Sequence, residues 1–303
     1  MRVWTSATIC SLMVALAVSA SAQATDIAAD ARWYVKVDVQ QLLDSDLAAT
    51  AAEKHDISPD SPAAARFERF AGFNPVRDVD TVLMYHHSFQ EGEAVVVLRG
   101  QFDPDRIGQR VAEAPRHERI DVAGLAGHRF EMPTERGPRV VDAVVRGGWI
   151  ALSADGPALT QAVQVLTGER RGLGADAELL APAWEGMWFE AGAIDLHQAR
   201  TRHSEMLRAA RNLNVAAGEF NGELRWQAQV TVVDADRAQL LADAAEGLLA
   251  MARLRHEPDS PIGQAIASLD VAHEDERVRL WWSQPVDAAL ELMQRLHRQR
   301  RDR

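Results

Sequence analysis

The stretch Glu93-Ala94-Val95-Val96-Val97-Leu98-Arg99-Gly100-Gln101-Phe102-Asp103-Pro104-Asp105-Arg106-Ile107 leads a β-rich apolar run into Asp-x-Asp-Arg and then into a helix-period pattern. A degenerate copy stands far downstream, Trp226-Gln227-Ala228-Gln229-Val230-Thr231-Val232-Val233-Asp234-Ala235-Asp236-Arg237. Each reads as a strand that turns into a helix. Asp103 and Asp234 occupy N-cap positions, where a carboxylate accepts from the first free amides of a helix. Asp105 and Asp236 follow in the first turn, at the positive end of the helix dipole. All four are expected to be structural caps. A calcium loop needs further oxygen donors and a glycine at a set spacing, and neither copy has them.

Outward from this joint, the order of elements repeats. Trp33 to Asp38 alternates as a half-buried strand, and Gln40 to Glu53 has leucines at helical spacing. Ser61-Pro62 opens a further helix that stops at Gly72. Val79 to His87 is β in pattern, hairpins follow around Ala123-Gly124 and Gly147-Gly148, 133–138 reads as a mobile polar loop, and Pro157 to Leu166 closes the first half. In the second half, Met187 to Ile194 answers the Trp33 strand and Asp195 to Arg211 is expected to be its helix. Glu219-Phe220 and Glu223 to Val233 form a hairpin at Asn221-Gly222, a strong two-residue turn signal. Helix Arg237 to Leu254, a short capped helix after Pro258-Asp259-Ser260-Pro261, strand Glu276 to Trp282 and helix Val286 to Leu296 complete it. Trp33 and Trp188 stand 155 positions apart and Asp103 and Asp234 stand 131 apart; the difference of 24 is close to the length of the capped segment 58–77. The expected fold is α+β: two similar halves from tandem duplication, each an antiparallel sheet backed by helices. The boundaries are a first unit 25–167, a linker 168–182 containing Gly172 and Gly174, and a second unit 183–303 with a basic tail.

Residues 1–24 have the three parts of a cleaved secretory signal: Arg2, an apolar run from Ala7 to Val18, and small residues at Ala20-Ser21-Ala22-Gln23-Ala24. Cleavage is expected after Ala22 or Ala24, leaving no transmembrane span and a periplasmic or secreted protein. The one cysteine, Cys10, falls inside the signal. The mature chain then has no disulfide, thiolate metal site or cysteine nucleophile. A formal charge of -11 argues against a nucleic-acid partner.

No catalytic set, metal site or cofactor is read from the sequence. Tyr85-His86-His87 is the most chemical-looking triplet, but on a strand its two histidines face opposite ways, and other ligands would have to come from His128 or His203. The nucleophile elbow and the glycine-rich phosphate cradle are both missing. In Arg277-Val278-Arg279-Leu280-Trp281-Trp282, alternation sends Val278, Leu280 and Trp282 inward and turns Trp281 outward beside Arg279, a pairing typical of binding hot spots. Arg298, Arg300 and Arg301 make a basic end suited to peripheral contact with anionic lipid or an acidic partner. The first expectation is an exported, non-catalytic interaction protein of the bacterial envelope, binding a protein or cell-surface component. The alternative is a carrier or sensor of an apolar ligand held between sheet and the helices 195–211 and 237–254. A histidine-dependent hydrolase or metal enzyme ranks third.

Overall fold

The computed structural model describes residues 26–52, 57–89, 94–134, 137–196 and 210–301. The expected signal, His203 and most of the expected helix 195–211 lie outside them. The described residues are a mixed α and β structure with antiparallel sheet and eight helices, in two compact units. One unit takes in Met1–Asp44 and Thr50–Ala177, the other Ser45–Ala49 and Glu178–Arg303.

In unit 1, seven strands are hydrogen-bonded in the order β1 (Trp33–Asp38), β2 (Val79–His86), β3 (Val95–Gly100), β7 (Trp149–Ser153), β6 (Gly137–Arg146), β5 (Leu125–Thr134), β4 (Glu118–Val122). Helices α1 (Val39–Leu43), α3 (Pro62–Ala71) and α4 (Pro104–Ala112) gather on one face, where Val79, Leu98, Phe102, Ile107, Val145 and Ile150 form a buried cluster. Alternation sends Val95 and Val97 to the opposite face, toward the side of α5 (Gly156–Leu166), whose Ala158, Leu159, Ala162 and Val163 are buried. A strand buried on both faces reads as an unbroken apolar run, which accounts for Val95-Val96-Val97-Leu98.

In unit 2, five strands run in the order β11 (Leu269–Glu274), β12 (Arg277–Pro285), β10 (Glu223–Val232), β9 (Ala210–Phe220), β8 (Met187–Ala193). The strand order β8-β9-β10-β12-β11 corresponds to β1-β2-β3-β7-β6, strand for strand. Helix α6 (Ala235–Arg255) packs through Ala238 and Ala242 on Val232 and Val278, and α8 (Val286–Arg301) through Val286 and Ala289 on Leu224. Helix α2 (Asp46–Ala52) opens inside this unit: the Asp46 and Leu47 amides donate to Glu219 Oε1 and Oε2 at 3.1 Å each, and Leu47 joins the Leu224 cluster. Asn221 and Gly222 both adopt positive φ in the β9–β10 turn, as a two-residue hairpin loop requires.

The helix expected over Gln40 to Glu53 is broken at Asp44-Ser45 into α1 and α2. The loop expected at 133–138 is a hairpin end, with Pro133 paired to Pro138 and Thr134 to Gly137. Ala210 and Arg211, placed in a helix by the sequence, begin the long strand β9. Its alternating burial was masked there by the small residues Ala216, Ala217 and Gly218. Strand β11 went unread beside the short helix α7 (Pro261–Ala267). Within the glycine-rich 168–182, Leu173, Leu179 and Ala181 are buried, and the Leu173 amide donates to Ile27 O at 2.7 Å.

Asp103 caps α4, accepting from the Asp105 and Arg106 amides at 3.0 Å each, and Asp234 caps α6, accepting from Arg237 N at 2.8 Å; Asp105 and Asp236 lie in the first turns. Replacing either cap by alanine should lower stability by about 1 kcal/mol, and replacing it by asparagine should preserve most of that. Urea titration followed by circular dichroism checks this; an Asp234→Asn loss as large as that of Asp234→Ala would contradict the cap.

Candidate functional site

The sheet of unit 2 has two unlike faces. Val278, Leu280 and Trp282 of β12 pack with α6 and α8, so strand alternation sends Arg277, Arg279 and Trp281 to the other side. Pairing then sets the neighbours there. Trp281 stands opposite Gln227 on β10 and Asp270 on β11, and Arg279 opposite Gln229 and Ala272. Arg279 Nε donates to Gln229 Oε1 at 3.1 Å, and its Nη2 lies 3.9 Å from Glu274 Oε2. Toward β9 this face is closed by residues 178–179, where the side-chain amide of Asn214 donates to Leu179 O and that of Asn212 to Glu178. Farther from β9, Gln227, Gln229 and Arg279 are partly exposed, Asp270 and Ala272 are exposed, and Trp281 is 40% exposed. Asp270 was invisible to sequence reasoning because β11 was not recognised, although Leu269-x-Val271 shows the alternation.

A second polar group lies in unit 1. Strand β2 ends at His86 and the chain bends at His87-Ser88, so the two imidazoles do not point to opposite faces as a continued strand would dictate. Their ring centroids are 4.0 Å apart. His86 is buried, with Nε2 3.5 Å from Asp155 Oδ2. Asp155 divides its oxygens: Oδ1 caps α5, accepting from Ala158 N at 3.1 Å, and Oδ2 faces the imidazole. The sequence held one signal for this, an aspartate ahead of Gly156-Pro157 at a helix start.

The tautomer limits what this group can do. The Ser88 amide, fixed in direction by the backbone, donates to His86 Nδ1 at 3.1 Å, with the Ser88 hydroxyl 3.0 Å from the same nitrogen. The neutral ring therefore carries its proton on Nε2, facing the carboxylate. Nδ1 is occupied as an acceptor, so neither nitrogen is placed to take a proton from a substrate. His86, His87 and Asp155 offer three donor atoms within 4.8 Å of one another. Ligation through Nε2 would move the ring proton to Nδ1, against the Ser88 N–H, whereas ligating histidines donate their second nitrogen outward. The arrangement is that of a buried histidine packed beside a helix-capping aspartate, with His86 Nε2 making no hydrogen bond among the described residues. The cleft beside it, lined by Asp30, Tyr85, His87, Val95 and Gln161, encloses about 190 Å³ including its open mouth, below the usual range for organic ligands. Burial pushes the Tyr85 hydroxyl up, helped by the Asp26 and Asp30 carboxylates, so it stays protonated.

His128 lies apart from this cluster. It meets His117 instead, Nε2 of His117 lying 3.0 Å from Nδ1 of His128. Burial first, then the His117 and Arg119 charges, hold His128 below its ordinary value. The backbone of α8 continues to Arg301, but the side chains of Arg298, Arg300 and Arg301 lie outside the described residues. Among the described residues no helix is long and apolar enough to cross a membrane.

No protein-family model and no curated protein matches this chain. Solved structures do. Crystal forms I, III and IV of TP0453 align over 90% of this chain and 97–98% of their own, at 8% identity and TM-scores of 0.42, 0.44 and 0.49. Identity at that level transfers no residue role.

Two outcomes follow from this geometry. Asp155→Ala should lose about 1 kcal/mol from the missing cap while Asp155→Asn retains it, and zinc should leave the wild-type urea midpoint unchanged; a zinc-dependent rise in midpoint abolished by His87→Ala would contradict the packed pair. For His128, a depressed folded-state value means the unfolded chain takes the proton first. Its contribution to stability is therefore complete above the ordinary value of 6.5 and is lost as pH falls through the lower folded one. Chemical denaturation between pH 7.5 and about pH 5 should show a stability loss that is smaller in His128→Gln; an identical slope in both proteins would contradict this.

Proposed function

We propose that this chain is an exported, non-catalytic binding protein of the bacterial envelope, periplasmic or secreted, that engages a protein or cell-surface component through the open sheet face of unit 2. The observation that carries the reading is the exposure of Trp281 on that face, flanked by Gln227, Asp270 and Arg279. An indole presents a large rigid apolar surface at small entropic cost, and arginine adds planar hydrogen bonding, which is why the two dominate binding hot spots. The matching strand orders of the two units support a tandem duplication, and the copies differ where a binding role needs them to. The run Val95-Val96-Val97-Leu98 in unit 1 is covered on both faces, whereas Glu223 to Val232 alternates and leaves one face wet. The signal-like residues 1–24 support export, and the basic end supports a peripheral contact with an anionic surface.

For the carrier reading, Val232, Ala238, Ala242 and Val278 are buried against one another at the contact of α6 with the sheet, while most of the helix expected over 195–211 lies outside the described residues. Crosslinking in intact envelopes should recover a defined partner, and Trp281→Ala should reduce its yield about tenfold with the fold unchanged by circular dichroism. Equal recovery by the variant would remove this face from consideration. For the duplication, an experimental structure in which β8-β9-β10-β12-β11 does not superpose on β1-β2-β3-β7-β6 would contradict a common origin.

A further inference from the structure

Helix α6 is apolar on two sides. Its inner side, through Ala238 and Ala242, closes on the sheet. A second stripe runs down the opposite side at helical spacing: Leu240, Ala244, Gly247, Leu248, Met251 and Leu254. Its large members are 67%, 57%, 50% and 89% exposed for Leu240, Leu248, Met251 and Leu254. Four of the nine large apolar side chains exposed among the described residues thus stand in one line on one helix, where an ordinary surface helix is polar.

We infer that this stripe is a self-association surface, on which α6 of a second copy of the chain docks antiparallel. Charge on the helix points to a second copy. Along the flank beside the stripe come Gln239, Asp243, Glu246 and Arg253, acidic toward the first half and basic toward the end. When two such helices run antiparallel about a two-fold axis near Leu248, like flanks face each other with opposite ends together. Asp243 of each copy then meets Arg253 of the other, and the pair occurs twice by symmetry. A parallel two-fold would instead turn this flank toward the partner's other flank, Leu241, Ala245 and Ala252, which offers Asp243 no opposite charge.

Gly247 supplies an independent reason. It lies in mid-helix, and a Cβ placed there would meet nothing within the chain. Glycine in an exposed helix interior weakens the helix relative to alanine, so a residue with no internal packing role is expected to serve an external one. With Ala244 one turn away, it leaves a shallow place in the stripe where a partner helix can approach closely. From Leu240 to Leu254 the stripe is about 21 Å long. That is a small interface, which sets association in the micromolar range.

Sedimentation of the exported, signal-processed chain from about 1 to 100 µM tests this. The expected result is a concentration-dependent dimer. Leu248→Asp should weaken it at least about tenfold. Asp243→Arg, an exposed change that leaves the fold intact, should weaken it as well, and adding Arg253→Asp should restore it. Gly247→Ala should raise thermal stability while weakening the dimer, a combination that a purely structural role for this position would not give. A chain that stays monomeric throughout, or a dimer indifferent to Leu248→Asp and Asp243→Arg, would overturn the inference. So would monomeric chains that bind lipid vesicles through the same leucines.

Discussion

The register of β12 against β10 and β11 is the constraint on which the candidate surface depends. Val278 and Leu280 are held down by α6, and Trp282 by the cluster around Val286 and Ala289. Because successive side chains on a strand alternate, burying these three commits Arg277, Arg279 and Trp281 to the opposite face. A slip of one residue would drive two arginines into the core and expose three large apolar side chains, so the hydrophobic contact fixes the polar face as firmly as it fixes its own. The same contact brings Gln227 and Asp270 alongside Trp281.

Unit 1 uses the same strand order to a different end. Its sheet carries helices on both sides, and several of its charged side chains are drawn into ion pairs. Asp26 holds Arg99 through two hydrogen bonds of 2.8 and 2.6 Å, Arg129 holds Asp142 through two of 2.7 and 2.8 Å, and Asp155 caps a helix amide. Groups satisfied in this way stabilise a scaffold but have little left to offer a ligand. Unit 2 exposes Trp281 on its polar sheet face and Leu240, Leu248, Met251 and Leu254 on one helix side.

The sequence was most legible where one physical rule acted alone. Asp before a helix-period run marked the starts of α4 and α6, Asn221-Gly222 marked its hairpin, and alternation in Arg277 to Trp282 separated the two faces of β12. It was least legible where tertiary contact decided the outcome. Nothing near Asp44-Ser45 announces that α2 begins by donating to Glu219, more than 170 positions away. The histidines were misread because strand alternation was carried one residue past the end of β2. The dinucleotide His86-His87 does not say where the ladder stops; the Ser88 amide turning back to Nδ1 does. The small residues of β9 hid its period, and β11 was too short and polar to stand out from the turn that follows it.

On the proposed binding reading, odd positions of β12 from 277 to 281 would face a partner, while even positions face the core. A photoreactive residue placed singly at 277, 278, 279, 280 and 281 in the exported protein, followed by irradiation of intact cells, reads that parity directly. The account predicts partner crosslinks from 279 and 281, weaker ones from 277, and none from 278 or 280. Crosslinks of equal yield at neighbouring positions, or strongest at 278 and 280, would contradict it.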